Sequence, residues 1–318
     1  MPCEPIYHES MQEPTVVSRH PYPTFLIIGV AKGGTTALHH QLGEHPAIFM
    51  SPVKEPRFFN HDGYWPIVPG EGRPNRPETL EDYLALFHGV TTETAVGEAT
   101  PDYIEIPAAA ARIHAFNPGM RIIVVLRDPL ERAYSHYVMM QNWGRMPIRP
   151  FEKVFRERIL RNPDWLAEPH DAYGCADSLY YEGLKRYYDL FPREQILVLK
   201  HNELLRKSEE SFEKIFTFLG VDPTFRLDTT KRFYVGKVPR SDLAWQVLNR
   251  PNPAKSIAQA VIPTPIRHSI SLKIRRMATR EKKPLDHTTR REFMTVYRAD
   301  LLRSQELTGV DLSDWLAD

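Results

Sequence analysis

Along the 318-residue chain, short unbroken apolar runs alternate with stretches in which apolar residues return every three or four positions. The first pattern marks strands buried on both faces, and the second marks helices packed by one face. Residues 24–29 (TFLIIG), 122–126 (IIVVL) and 195–200 (QILVLK) read as buried strands, with shorter ones over 47–50 and 94–98. Between them, ALHHQLGEH after Thr36, residues 78–88 with Leu80, Tyr83, Leu84 and Phe87 on one face, the stretch from Pro129, and 176–192 read as helices. SEESFEKIFTFLGV is a further helix, closed by Gly220. Residues 1–23 carry five prolines and no periodicity, so a flexible arm is expected; residues 61–77, rich in Gly and Pro, read as a long loop. Strands alternating with helices predict an α/β fold with a parallel sheet flanked by helices, in one domain over 24–318 with a helical C-terminal region.

The strand over 24–29 runs into Lys32, Gly33, Gly34, Thr35 and Thr36 before the first helix begins. A strand, a glycine loop and a helix start in succession aim backbone N–H groups and the positive end of a helix dipole at one point, where an anion sits. Glycines let the backbone approach it, Lys32 adds a point charge and the two threonines add hydroxyls. The loop is P-loop-like without being a Walker loop, because the lysine precedes Thr35 by three places instead of one. A second strand, 122–126, delivers Arg127 and Asp128 at its end, with Pro129 placed as a first helical residue. Arg127 and Ser135 are eight residues apart, so a strand end and two helical turns can bring guanidinium and hydroxyl to one anion. The competing reading pairs Arg127 with Asp128 or Glu131 at the helix start.

Composition narrows the function classes. With 41 basic and 40 acidic residues the formal charge is +1, so no global signature of nucleic-acid binding exists. Two cysteines, Cys3 and Cys175, argue against a disulfide framework, no metal-ligand spacing is present, and no run of apolar residues is long enough to span a bilayer. The charge that is unevenly placed lies over 267–291, with nine Lys/Arg against Glu281 and Asp286. Ile266, Ile270, Ile274 and Met277 give that segment the spacing of a basic amphipathic helix.

The motif G-x-x-K-G-G-T-T-x-L resembles the 5′-phosphosulfate loop of sulfotransferases that use 3′-phosphoadenosine 5′-phosphosulfate (PAPS), particularly the heparan-sulfate-like branch. R-D-P-x-x-R-x-x-S resembles the motif whose arginine and serine bind the nucleotide 3′-phosphate in that family. The resemblance covers roughly 24–237 and the last thirty residues, and it implies the following expectations. Lys32, Gly33, Gly34, Thr35 and Thr36 hold the 5′-phosphate, with Lys32 neutralising charge on the leaving oxygen; Arg127 and Ser135 hold the 3′ end. In SPVKEPRFFN, Glu55 followed by Phe58 and Phe59 matches the family's acidic residue and aromatic pair, which makes Glu55 the catalytic base. Ser178 and Tyr180 match a pattern near the nucleotide, Tyr234 stacks on adenine, and Lys237 and Arg240 reach the 3′-phosphate. The family's E-K-[ST]-P-x-Y stands here as Glu98-Ala99-Thr100-Pro101-Asp102-Tyr103, with alanine in place of the usual lysine and Lys54 as a candidate substitute.

The implied enzyme takes PAPS as donor and releases 3′-phosphoadenosine 5′-phosphate (PAP), needs no metal, and acts on a small-molecule, glycan or carrier-protein-bound acceptor, with the 241–291 segment near that acceptor. The lack of an anchor points to a soluble, bacterial, cytoplasmic protein of secondary metabolism, with homodimerisation left open. Two other classes compete: a P-loop phosphotransferase, which the lysine spacing disfavours, and a nucleotide-binding module without catalysis, which Ala99 makes thinkable.

Overall fold

A computed structural model describes residues 22–60, 77–146, 148–162, 164–167, 174–227, 237–239 and 279–316. Its centre is a five-stranded sheet of β1 (Phe25–Gly29), β2 (Ile48–Met50), β3 (Ala95–Ala99), β4 (Arg121–Leu126) and β5 (Ile196–Lys200) in the order β2-β3-β1-β4-β5. Every adjacent pair is parallel, with Leu26 opposite Glu98 on one side and Ile122 on the other. The expected parallel α/β sheet is what forms. β1 lies in the middle and the chain winds away from it in both directions, which opens a crevice at the C-terminal ends of the strands.

The continuous apolar runs are explained by burial on both faces. Phe25, Ile27, Ile123 and Val125 pack under α1 (Thr35–Leu42) and the helix Ser208–Leu219, through Leu38, Leu42, Ile215 and Phe216. Leu26, Ile28, Val124 and Leu126 face the opposite layer, which holds Tyr83 of α2 (Leu80–Ala85), Ile113 of α3 (Ala109–Phe116) and Leu130 of α4 (Pro129–Asn142). Phe58 and Phe59 are anchors as expected: the Phe58 ring stacks on Tyr83 at 4.4 Å, and Phe59 meets Tyr103 and Phe116 edge-on.

Two elements differ from expectation. The helix read over 176–192 covers only Tyr181–Tyr188, because its start is set from a distance: the Asp300 carboxylate accepts from the backbone N–H of Tyr180 (2.7 Å) and Tyr181 (3.1 Å). The basic segment is not helical throughout. Thr279–Glu281 is a strand, β7, paired antiparallel with Lys237–Pro239, β6, and after it a helix starts at His287, where Asp286 accepts from the Thr289 N–H. Pro284 interrupts the stretch between them, and residues 266–278 lie outside the described residues.

Candidate active site

At the end of β1 the chain turns through a loop closed by Gly33 N–H to the Val30 carbonyl (2.8 Å), itself tied to the sheet by Val30 N–H to the Val125 carbonyl (3.0 Å). A Cβ on Gly33 would stand 2.6 Å from the Val125 oxygen and 2.8 Å from that of Val30, so glycine is required there. Gly34 caps α1 with φ 91° and makes no side-chain cap bond, so the first N–H groups of the helix are placed to serve an outside acceptor. Thr35 is buried at that point and Thr36 exposed. An anionic group fits this cradle on geometry and charge alike.

Lys32 has φ 70°, and its ammonium lies 3.5 Å from the Met139 sulfur on α4. Burial, then the nearby Arg127 and Arg132, lower its pKa from 10.5 to about 8, while Glu55 opposes them. Arg127 donates to the Lys32 carbonyl (3.0 Å), and its own carbonyl receives the Tyr180 hydroxyl at 2.6 Å. Tyr180 is therefore buried behind the arginine, where it fixes the end of β4. Ser135 stands partly buried on the second turn of α4, whose start is capped by Asp128 accepting from the Glu131 N–H (3.0 Å). The i,i+4 pairing of Arg127 with Glu131 is present at 3.7 Å.

Glu55 lies near enough to Lys32 to raise its pKa through its charge. Its N–H donates to the Ala99 carbonyl at the end of β3 (3.1 Å), and its carboxylate takes Lys54 at 2.6 Å on one oxygen and Arg57 at 3.2 Å on the other. Ala99 itself is fully buried against α1. Beneath this turn Glu98 is wholly buried. Burial pushes its carboxyl up to about 7 against the pull of its hydroxyl neighbours, and Thr100 donates to it at 2.9 Å.

Three residues here had no assigned role. His201 follows β5, and its ring would meet a Cβ on Gly34 at 3.0 Å; burial and Arg127 lower its pKa to about 4. It sits at a strand's C-terminal end, the same place that singled out Lys32 and Arg127, so the signal was in the sequence. Lys282 binds Glu131 and lies over the Tyr134 ring at 4.2 Å. Arg290, beyond it, pairs with Asp128 and donates to the Trp315 carbonyl (3.0 Å). The part of the basic segment that is described thus folds over the start of α4. Tyr234 and Arg240 lie outside the described residues, and of Lys237 only the backbone in β6 is described. Among the described residues, no group of three His, Cys, Asp or Glu side chains is arranged to hold a metal ion.

A glycine cradle beside a half-buried lysine, with an acid in electrostatic reach at the switch point of a parallel sheet, agrees with the family profile for a sulfotransferase domain, which matches residues 22–299. The chain belongs to the sulfotransferase family. A sulfotransferase from Alicyclobacillus acidocaldarius superposes with a TM-score of 0.68 at 26% identity, over 93% of this chain and all of that one. Mouse heparan sulfate glucosamine 3-O-sulfotransferase 3A1 is 33% identical over 216 residues, 67% of this chain and 48% of its own length. Human carbohydrate sulfotransferase 15 is 26% identical over 248 residues, 63% of this chain and 44% of its own. The chain therefore spans less than half of these two relatives. No helix among the described residues is long and apolar enough to cross a membrane.

Proposed function

We propose that this sulfotransferase-family chain moves a sulfo group from PAPS to an acceptor hydroxyl, in the cytoplasm and without a metal. The observation that carries the reading is the placement of a half-buried, charge-crowded Lys32 beside a helix N-terminus with no capping side chain on Gly34, within electrostatic reach of Glu55. PAPS supplies the activated sulfo group as a phosphosulfate anhydride. Glu55 takes the acceptor proton as the new oxygen–sulfur bond forms. The bond from sulfur to the bridging oxygen breaks, and the electron pair stays on the departing phosphate, where Lys32 offsets the charge. The N–H groups of Gly34, Thr35 and Thr36, with the two threonine hydroxyls, hold that phosphate, and Gly33, whose own N–H closes the loop on Val30, lets the backbone come close to it. Arg127 and Ser135 hold the 3′ end, and Tyr180 acts through Arg127. Tyr234, Lys237 and Arg240 complete the nucleotide site. The acceptor is a glycan, natural-product or carrier-bound hydroxyl; the two curated relatives are named for heparan sulfate and carbohydrate.

Calorimetric titration with PAP, with ATP and Mg²⁺ in parallel, tests the donor assignment. Metal-independent binding of PAP is the expected result. Preference for ATP–Mg²⁺, or no binding of PAP, refutes it.

A further inference from the structure

Glu55 and Arg57 flank Pro56 and both have positive φ, 60° and 58°. Residues with side chains occupy that region only when their surroundings hold them there. The backbone is held at two points on the end of β3: Glu55 N–H on the Ala99 carbonyl, and Arg57 N–H on the Thr100 hydroxyl at 3.3 Å. Thr100 is in turn fixed by buried Glu98. Above this anchor the Arg57 guanidinium spans two carboxylates, reaching Glu55 at 3.2 Å and Asp102 at 2.8 Å through the same nitrogen. Asp102 is 6% exposed and stands on the short turn Pro101–Ile104, so it cannot follow a moving partner. A planar guanidinium suits this bridge, because its fork keeps one orientation while it contacts two acids.

We infer that Arg57, seated on Asp102, is a positioning residue that sets the direction of the Glu55 carboxylate toward the acceptor. The inference rests on the reading of Glu55 as proton acceptor and adds to it the pair that aims it. Asp102 then has a structural task and is not itself a base. Lys54 holds the other Glu55 oxygen, but on a flexible stem that fixes a charge without fixing a plane.

The test measures PAP release from PAPS by the full chain, with water and with O-desulfated heparin as acceptors. Water is the smallest hydroxyl acceptor, so the assay needs no cognate substrate. Arg57→Lys and Arg57→Gln are expected to lower kcat by about ten- to a hundredfold, with KM for PAPS and calorimetric PAP affinity within about twofold of wild type. Asp102→Asn lowers kcat in the same way, and adding it to Arg57→Gln costs nothing further, since the two act as one unit. Guanidinium ion restores turnover to Arg57→Ala but not to Glu55→Gln. Wild-type kcat in Arg57→Gln overturns the inference. So do fully multiplicative effects of Arg57 and Asp102, or losses that track PAP affinity, which would assign Arg57 to plain structural support. Full activity in Glu55→Gln is a separate failure, that of the proposed base, and is read from its own variant.

Discussion

Replacing Lys32 by methionine removes a cation that the fold holds in an unfavourable place. Its ammonium touches a thioether and is crowded by Arg127 and Arg132, which is why its pKa falls from 10.5 to about 8. At 1.36 kcal/mol per pKa unit that difference is worth roughly 3 kcal/mol, a ceiling on what Lys32→Met gains at pH 7. The sign follows from proton counting. Between pH 8 and 10.5 the unfolded chain keeps a proton on Lys32 that the native protein has lost, so wild-type stability rises with pH across that window. Below pH 8 the penalty is in force in full. Urea or thermal unfolding at pH 7 and pH 10 should therefore find the variant more stable at pH 7, by a few degrees in Tm, and nearly equal to wild type at pH 10. PAP at a thousand times Kd reverses the order at pH 7, because it adds about 4.1 kcal/mol to a protein that binds it, more than that ceiling. Turnover falls by about a hundred- to a thousandfold, the usual loss of one group that meets transition-state charge. A variant less stable than wild type at pH 7 without ligand, or a gap that does not change between pH 7 and 10, would refute the reasoning.

Gly33→Ala forces a methyl against the carbonyl oxygens of Val125 and Val30, backbone atoms that cannot swing aside. It should cost about 1–3 kcal/mol in urea unfolding and weaken PAP binding in calorimetry. Glu98→Gln keeps the shape of a carboxyl held up at about 7, above its unfolded value of 4.5. The native state then holds a proton that the unfolded chain loses between pH 4.5 and 7, so wild-type stability falls as pH rises through that range. The glutamine variant should match wild type near pH 4 and exceed it at pH 8, by up to roughly 3 kcal/mol. Arg132 is fully buried and joins Glu105, Asp177, Ser178 and the Gly174 carbonyl. Arg132→Met strands two carboxylates and should cost about 3–5 kcal/mol, read as a lower denaturation midpoint.

Strands and motifs were legible in the sequence for one reason: a strand buried on both faces must be apolar throughout, and its C-terminal end must then deliver the first polar residues. That rule located Lys32 and Arg127, and His201 was visible by the same rule. What the sequence left hidden depends on distant partners. The start of the helix at Tyr181 is fixed by Asp300, more than a hundred residues away, and periodicity over 176–192 carries no trace of it. The pairing of β7 with β6 likewise unites segments about forty residues apart, a distance over which no local periodicity carries a signal. Tyr180 looked equally suited to core or ligand; only its bond to the Arg127 carbonyl shows where its hydroxyl is used. The bridge from Arg57 to Asp102 needed coordinates as well, since nothing in KEPRFF or TPDY names the other.

Among the described residues, the side-chain-bearing positions with positive φ are Lys32, Glu55 and Arg57. Glycine would relax the backbone at each of them. A lineage selected only for thermal endurance, with no demand for turnover, would thus be drawn toward glycine at these three sites while keeping every core residue. Gene copies that have drifted this way would carry their history in plain view. Glycine at the positions of Glu55 and Arg57 above an intact sheet would mark a descendant that still folds after its chemistry has lapsed.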